Sequence, residues 1–326
     1  MFSLNLERQS NARQNVVDNK LSQQVQTAVD EVGKALLGKD HQIRLALCCL
    51  FSGGHLLIED LPGMGKTTLS YALAKALGLR YKRIQFTSDL LPADILGISI
   101  FDQNSHEFSF HPGPIFSQLV LADEINRTTP KTQSALLEAM EERQVTIEGE
   151  TRSLPEPFFV IATQNPVTLA GTYPLPESQL DRFLMRLRLG YPDQRAEREL
   201  LKMDTERDRV EGIEQCLSVD DVTEFRKQSS YVKTSDALLD YVQRLINFTR
   251  GKGEFHFGLS PRGSIAIMRA AKTWALMCGR QHVIPEDVQV ILPSVVEHRL
   301  RATTDDDGHT GASLVQRLLN EVDVID

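Results

Sequence analysis

Short apolar runs alternate with helical patterns along the chain from His55 to Pro192, and this alternation predicts an α/β domain. Runs of this length, separated by helices, are typical of strands in a parallel sheet with crossover helices. The predicted strands are His55–Ile58, Arg83–Phe86, Leu119–Ala122 and Phe158–Thr163. After the first strand, residues 67–77 have apolar side chains at helical spacing, and Gly78 then suits the end of a helix.

Two β-hairpins are predicted between these strands. In each, two short segments with strand-like composition flank a turn-rich segment. The flanking segments are Gly97–Phe101 with Glu107–Phe110, and Val145–Glu148 with Thr151–Leu154. The turn of the second hairpin is predicted at residues 149–150.

The pattern becomes helical after Pro192 and stays so to the last residue. Ser218, with Asp221 three residues later, predicts a helix start, and a second helix is predicted after Ser235. The apolar face predicted for the second helix consists of Leu238, Leu239, Val242, Leu245 and Ile246. We therefore expect a separate C-terminal helical domain.

The N-terminal segment has a weaker signal. Residues 10–26 are polar, and Val17, Leu21 and Val25 recur at a spacing of four, which favours one helical face. The predicted division is a helical appendage over residues 1–30, an α/β core over 31–200 and a helical domain over 201–326.

Composition and charge narrow the classes of partner. The 326 residues include 36 basic and 44 acidic ones, so the net charge is −8 and nucleic acid is not expected as the main partner. The four cysteines form no CxxC pair, which argues against a disulfide framework or a zinc site. The sequence contains no stretch of about 18 apolar residues and no signal-peptide pattern, so we expect a cytoplasmic protein without a membrane span.

A glycine-containing loop between the first strand and its helix is the first candidate site. Backbone N–H groups of such a loop and of the following helix N-terminus bind phosphate oxygens, and glycine lets the backbone approach them closely. Lys66 is expected to reach the β- and γ-phosphates, and the Thr67 hydroxyl to bind Mg²⁺. Asp60 stands where the general pattern has glycine. The predicted phosphate-binding residues are Pro62, Gly63, Met64, Gly65, Lys66, Thr67 and Thr68.

Polar residues that follow two later strands complete the predicted site. Asp123 and Glu124 end the strand that begins at Leu119. We expect Asp123 to hold Mg²⁺, directly or through water, and Glu124 to polarise the water that attacks the γ-phosphate. Asn165 follows the next predicted strand and is placed to hold that water or the γ-phosphate, since ligands lie beyond the carboxyl ends of parallel strands. The sequence therefore predicts binding of ATP with magnesium.

Two arginines are candidates for stabilising charge in the transition state. Arg182 lies in the sequence Leu-Asp-Arg-Phe and Arg262 in Leu-Ser-Pro-Arg. An arginine that reaches the transferring phosphoryl group raises the rate by about a thousandfold or more.

Together these elements resemble the MoxR family of AAA+ ATPases. The resemblance spans residues 36–300, and such long blocks are far more specific than a phosphate-binding loop alone. The blocks that carry it are Leu61–Thr67, Gln85–Ile95, Gly113–Phe116, Asp123–Arg127, Leu136–Arg143 and Tyr173–Phe183.

The resemblance implies a three-layer αβα core, a helical lid and hexameric rings with ATP between subunits. It also implies that Asn165 is the first sensor, that Arg262 is the second sensor in the lid, and that Arg182 reaches into a neighbouring site. Arg127 and Arg186 remain alternatives for that last role. Aspartate at position 60 is usual in the family. The implied function is that of a chaperone that remodels, matures or activates a protein complex, often with a partner that carries a von Willebrand factor A domain.

Two other functions remain open from the sequence. Related rings act as nucleic-acid motors or transcription activators, although this chain has no evident helix-turn-helix or basic tract. The third hypothesis is a scaffold that binds ATP and scarcely hydrolyses it. The two hairpins are candidate contacts for the client protein.

Overall fold

The computed structural model of the chain describes residues 21–103, 106–165, 171–202, 206–251, 255–301 and 311–325. Residues 1–20 of the predicted appendage, with Val17, lie outside the described residues, as does part of the predicted turn of the first hairpin. The strands are β1 (Leu56–Glu59), β2 (Tyr81–Gln85), β3 (Gly97–Asp102), β4 (Glu107–Pro112), β5 (Leu119–Asp123), β6 (Gln144–Ile147), β7 (Glu150–Ser153), β8 (Phe159–Gln164) and β9 (Met185–Leu187).

The helices precede, separate and follow these strands. Those up to β9 are α1 (21–35), α2 (Asp40–Phe51), α3 (Lys66–Ala76), α4 (Pro92–Leu96), α5 (Pro130–Glu142) and α6 (Glu177–Leu180). Those after β9 are α7 (Gln194–Leu200), α8 (Glu206–Glu211), α9 (Val219–Ser230), α10 (Asp236–Arg250), α11 (Pro261–Met277), α12 (Pro285–Val296) and α13 (Gly311–Glu321).

A five-stranded sheet of order β2-β5-β8-β1-β9 lies at the centre of the fold, and all neighbouring strands in it are parallel. The four strands predicted from the sequence correspond to β1, β2, β5 and β8, with ends shifted by at most two residues. Because the strands are parallel, their carboxyl ends meet at one edge of the sheet. That edge carries the residues which follow β1, β5 and β8.

Alternate residues of the central strands contribute to two hydrophobic clusters, one on each face of the sheet. Leu119 and Leu121 of β5 belong to the cluster that also contains buried residues of α1, α2 and α3. Val120 and Ala122 belong to the other cluster, which contains the buried face of α5. Helices therefore cover both faces, and the predicted α/β fold with three αβα layers is confirmed.

Both predicted hairpins are present as two-stranded antiparallel sheets, β3 with β4 and β6 with β7. In the second hairpin Ile147 pairs with Glu150, so the turn consists of Glu148 and Gly149, one residue earlier than predicted. Both turn residues have positive φ, 53° and 83°. This is the geometry of the two-residue turn that matches the twist of hairpin strands, and glycine adopts it at little cost.

The C-terminal part of the chain is helical, as predicted. Ser218 and Asp221 form a capping box at the start of α9, and Ser235 caps α10. The buried face of α10 contains Leu238, Tyr241, Val242 and Leu245 at helical spacing. Leu239 lies outside this face and is 43% exposed. None of the helices in the described part of the chain combines the length and apolar character needed to cross a membrane.

The helix α1 continues across the boundary predicted between residues 30 and 31. Its residues Leu21, Val25, Ala28, Val29 and Val32 are buried at helical spacing, in the cluster shared with α2 and the C-terminal helices. This segment is integrated in the main hydrophobic core because its apolar face is wider than Val17, Leu21 and Val25 alone indicate.

Candidate functional site

The loop between β1 and α3 ends in a helix N-terminus that faces the carboxyl edge of the sheet. Gly63 and Gly65 both have positive φ, 82° and 86°, a conformation that glycine adopts without steric cost. Gly65 is the N-cap of α3, and Lys66 is the first residue of the helix. The first backbone N–H groups of α3 have no partner within the helix, so this end of the helix can bind an anion.

Asp60 has a structural role at the start of this loop. One of its carboxylate oxygens accepts a hydrogen bond from the Leu61 backbone N–H at 2.8 Å, and the other accepts one from the Gly190 N–H at 2.7 Å. The carboxylate therefore ties the phosphate-binding loop to the segment after β9. This accounts for an aspartate at a position where the general pattern has glycine.

The Lys66 ammonium group lies between the loop and the end of β8. Its Nζ donates to the Asp60 carbonyl oxygen at 2.5 Å and to Asn165 Oδ1 at 3.0 Å. Burial lowers the pKa of Lys66, while the nearby carboxylates of Asp60, Asp123 and Glu124 act in the opposite direction. A buried cation with two neutral oxygen partners is well placed to bind phosphate oxygens.

Asp123 is the last residue of β5, and its side chain is only 10% exposed. Its Oδ1 accepts a hydrogen bond from the Thr163 hydroxyl at 2.6 Å, and its Oδ2 accepts one from Arg83 Nη2 at 2.6 Å. Both oxygens of this carboxylate are therefore engaged by neighbouring strands, since Thr163 is in β8 and Arg83 is in β2.

Glu124 follows Asp123 and adopts a left-handed conformation with φ 58°, which is unusual for a residue other than glycine. Its Oε1 accepts a hydrogen bond from Asn165 Nδ2 at 3.1 Å. Its Oε2 accepts from Arg127 Nη1 at 2.7 Å and from Gln85 Nε2 at 3.2 Å. The backbone turn and these three donors fix the carboxylate above the edge of the sheet.

These residues surround one cavity of about 830 Å³, large enough for a nucleotide. Lys66, Thr67, Asp123, Glu124 and Asn165 all contribute to its lining. Of the predicted phosphate-binding residues, Pro62, Gly63, Gly65, Lys66, Thr67 and Thr68 line this cavity. Met64 lines an adjoining cavity of about 200 Å³.

The donor set fits magnesium. Thr67 offers a hydroxyl oxygen and Asp123 a carboxylate oxygen in the same cavity. Within the described residues, no group of three or more His, Cys, Asp or Glu side chains is arranged to hold a metal. A magnesium ion that is bound with a nucleotide needs only one or two protein ligands, because phosphate oxygens and water supply the rest.

Arg182 and Arg262 lie in a different place from the other predicted site residues. Arg182 Nη2 is 3.1 Å from Glu141 Oε2 and its Nη1 donates to the Leu137 carbonyl, while Arg262 also pairs with Glu141. Both line a second cavity of about 410 Å³ and neither lines the cavity around Lys66.

The structure therefore does not bring Arg262 to the phosphate-binding loop of its own chain, contrary to the expectation for a second sensor in the lid. Arg262 is in the first turn of α11, and that end of the helix faces the C-terminal end of α5, where Glu141 lies.

The two alternative arginines differ from each other. Arg127 pairs with Glu124 and thus belongs to the surroundings of the first cavity. Arg186, only 13% exposed, lies between the carboxylates of Glu59 at 3.0 Å and Glu297 at 2.9 Å. Its two carboxylate partners and its burial indicate a structural ion pair.

Three polar residues near the carboxylates were not predicted as site residues from the sequence: Arg83, Gln85 and Thr163. Arg83 and Gln85 alternate along β2, the strand next to β5, and Gln85 is opposite Asp123. The signal for them in the sequence is this alternation of polar side chains on a strand that ends at the same edge as β5.

Comparisons with known proteins show which families the chain resembles. Residues 55–185 match the model of the "ATPase family associated with various cellular activities (AAA)", and residues 247–318 match that of the "AAA lid domain". The chain is 45% identical over 299 residues to YeaC of Bacillus subtilis, a protein named as uncharacterised, covering 91% of this chain and 93% of that one. It is 42% identical over 291 residues to the chaperone MoxR1 of Mycobacterium tuberculosis, covering 86% and 76%.

A solved structure has the same fold over nearly the whole length. The crystal structure of a candidate ATPase from Cytophaga hutchinsonii superimposes with a TM-score of 0.86 at 35% identity, covering 97% of this chain and 98% of that one.

Proposed function

The chain belongs to the MoxR family of AAA+ ATPases, and from this premise we propose that it hydrolyses ATP with magnesium in a ring of copies to remodel a partner protein complex. The observation that carries this proposal is the convergence of Lys66, Thr67, Asp123, Glu124 and Asn165 in one nucleotide-sized cavity.

In the proposed reaction each residue acts on a defined part of the nucleotide. Lys66 and the N–H groups of the loop bind the β- and γ-phosphates, and Thr67 with Asp123 holds the magnesium ion, which supplies charge neutralisation at the phosphates. Glu124 polarises the attacking water, and Asn165, which bridges Lys66 and Glu124, orients that water relative to the γ-phosphate. The left-handed turn at Glu124 aims its carboxylate into the cavity.

The site is proposed to be completed by a neighbouring copy, in a hexamer. Arg182 and Arg262 are together on Glu141 in the second cavity, away from their own Lys66. An arginine pair at that position supports a role at the nucleotide of the adjacent subunit, for Arg262 as well as for Arg182. Such head-to-tail contacts close into rings when the rotation between copies permits it.

The hairpin of β3 and β4 is proposed as a contact for the client. It exposes large apolar side chains that a monomer has no evident reason to leave in water: Ile98, Ile100, Phe101 and Phe108 are between 45% and 70% exposed. A relative named as a chaperone supports the proposal that the partner is a protein complex. A helper protein with a von Willebrand factor A domain is part of the proposal through the family resemblance alone. We propose a cytoplasmic location.

The proposed chemistry is tested by comparing ATP turnover of the wild-type protein and Glu124→Gln with and without Mg²⁺. The substitution removes the general base and keeps the shape of the side chain, so we expect turnover to fall about a hundredfold or more while nucleotide binding persists. Glu138→Gln is the matched control, because Glu138 is an exposed residue of α5.

Equal turnover in wild type and Glu124→Gln would remove Glu124 from this role, and turnover that does not need Mg²⁺ would exclude the proposed metal. If Glu124→Gln binds ATP without hydrolysing it, the same variant retains its client longest and serves as bait to identify it.

A further inference from the structure

Arg83 occupies an oxygen of the carboxylate that is proposed to hold magnesium. Its Nη2 and Nε atoms lie 2.6 Å and 3.1 Å from Asp123 Oδ2. The other oxygen, Oδ1, accepts the Thr163 hydroxyl at 2.6 Å. Asp123 thus has a donor on each oxygen, and the one on Oδ2 carries a full positive charge.

Strand pairing explains why Arg83 reaches this oxygen. In the register of β2 with β5, Arg83 is opposite Leu121 and Gln85 is opposite Asp123. Arg83 therefore lies two residues before the position opposite Asp123. Its side chain extends forward along the sheet edge, is 48% exposed, and contributes to the lining of the nucleotide cavity. Arg83 can therefore leave Asp123 without disrupting the core.

A guanidinium on Oδ2 and a magnesium ion on the same carboxylate are electrostatically incompatible neighbours, since two cations at contact distance repel each other strongly away from bulk water. Resting on the proposed function, we propose that Arg83 competes with magnesium for Asp123 and so sets the Mg²⁺ concentration at which nucleotide binds. Once released, the Arg83 side chain remains beside the phosphates within the same cavity.

The competition extends to Glu124 through Gln85. Arg83 Nη2 also donates to Gln85 Oε1 at 2.9 Å, and Gln85 Nε2 donates to Glu124 Oε2 at 3.2 Å. When Arg83 leaves Asp123, Gln85 loses the donor that orients its amide, and Glu124 loses part of its restraint. Arg83 is thus a positioning residue. Whether it contacts Asp123 affects, through Gln85, how firmly the carboxylate of Glu124 is held.

The test is a magnesium titration of nucleotide binding, with a fluorescent ADP analogue as the probe so that no turnover occurs. The protein is freed of metal by a chelator, and the midpoint of Mg²⁺-dependent binding is measured for wild type and Arg83→Met. Without the competing cation we expect the midpoint to fall about three- to tenfold. Arg83→Lys keeps the charge but loses the two-atom contact, so its midpoint is expected to lie between the other two.

Two further variants distinguish the direct contact between Arg83 and Asp123 from the electrostatic effect of any nearby positive charge. Lys82→Met removes an exposed positive charge from the next residue of β2, and we expect no change in its midpoint. Arg127→Met removes the arginine that contacts Glu124 instead of Asp123, and a smaller shift than that of Arg83→Met is expected.

An unchanged or raised midpoint in Arg83→Met, or an equal shift in Arg127→Met, would overturn the inference. If Arg83→Met does not fold, as judged by circular dichroism, a midpoint in Arg83→Lys equal to or above that of wild type overturns it. Failure of the proposed function has a different signature, because wild-type protein would then not bind the nucleotide at any Mg²⁺ concentration.

Discussion

At the scale of single residues, His55 is a buried titratable group whose hydrogen bonds fix its protonation. The Val160 N–H can only donate, so His55 Nδ1 accepts from it at 3.0 Å, and the proton is on Nε2, which donates to the Met140 carbonyl at 3.1 Å. Burial lowers the pKa of His55 to about 3. The neutral ring thus links β8 to α5, immediately before β1.

This buried histidine predicts a loss of stability in mild acid. The unfolded chain binds a proton at His55 near pH 6.5, whereas the folded chain does so only near pH 3. The contribution of His55 to stability is therefore fully present above pH 6.5 and is lost progressively as the pH falls toward 3. Between pH 7.5 and 5, we expect His55 to contribute a loss of about 2 kcal/mol in the free energy of unfolding.

Denaturant unfolding at several pH values measures this contribution. Between pH 7.5 and 5, the free energy of unfolding of His55→Gln should fall by about 2 kcal/mol less than that of wild type. His111→Gln, at an exposed position on β4, should behave as wild type. The same pH slope in wild type and His55→Gln would contradict the assignment.

Much of the candidate site could be predicted from the sequence, because the strand pattern implies the geometry. Lys66, Asp123 and Asn165 each follow or end an apolar run, and parallel strands bring such residues to one edge. The position of Arg262 could not be predicted in this way, because it depends on how the C-terminal helices pack on α5. Arg83 was missed because its partner is set by strand pairing, which its local sequence does not specify.

At the scale of elements, the start of α9 is held by reciprocal hydrogen bonds. Ser218 Oγ accepts from the Asp221 backbone N–H at 3.1 Å, and Asp221 Oδ2 accepts from the Ser218 N–H at 2.8 Å. These bonds satisfy backbone donors that have no partner within the helix.

We expect Ser218→Ala to lower the free energy of unfolding by about 1 kcal/mol, because the Asp221 backbone N–H then loses the Ser218 hydroxyl as its acceptor. Thermal unfolding followed by circular dichroism is the measurement. Thr223→Ala, an exposed position one turn later on the same helix, is the control and should change stability much less. If Ser218→Ala and Thr223→Ala unfold at the same midpoint temperature, the Ser218 side chain does not stabilise the helix start.

Elements were predictable where the hydrophobic pattern is long. The strand β9 was missed because Met185–Leu187 has three residues, with Arg186 in its middle, and it is recognisable only from its pairing with β1. The turn between β6 and β7 was predicted one residue too late. Both Glu148 and Gly149 have left-handed backbones, and only the glycine indicates this in the sequence.

At the scale of the whole molecule, a nucleotide site that is shared between copies predicts recovery of activity on mixing two inactive variants. Lys66→Met lacks the phosphate-binding cation and keeps Arg182, whereas Arg182→Ala keeps the phosphate-binding loop. In an equal mixture, about a quarter of head-to-tail interfaces would combine an intact loop with an intact arginine. ATP turnover of the mixture should exceed that of either variant alone.

Mixing Arg182→Ala with the double variant Lys66→Met, Arg182→Ala is the matched control and should give no recovery. If the first mixture is no more active than its components, Arg182 does not act in a neighbouring site.

The pairing of Glu141 with both Arg182 and Arg262 has a consequence for how such an assembly is regulated. A copy without neighbours pairs both arginines with one carboxylate of its own, which offsets one of their two positive charges and holds both side chains in place before any subunit arrives. If the nucleotide site is shared between copies as proposed, dilution alone would turn ATP hydrolysis off reversibly, without an inhibitor or a covalent modification.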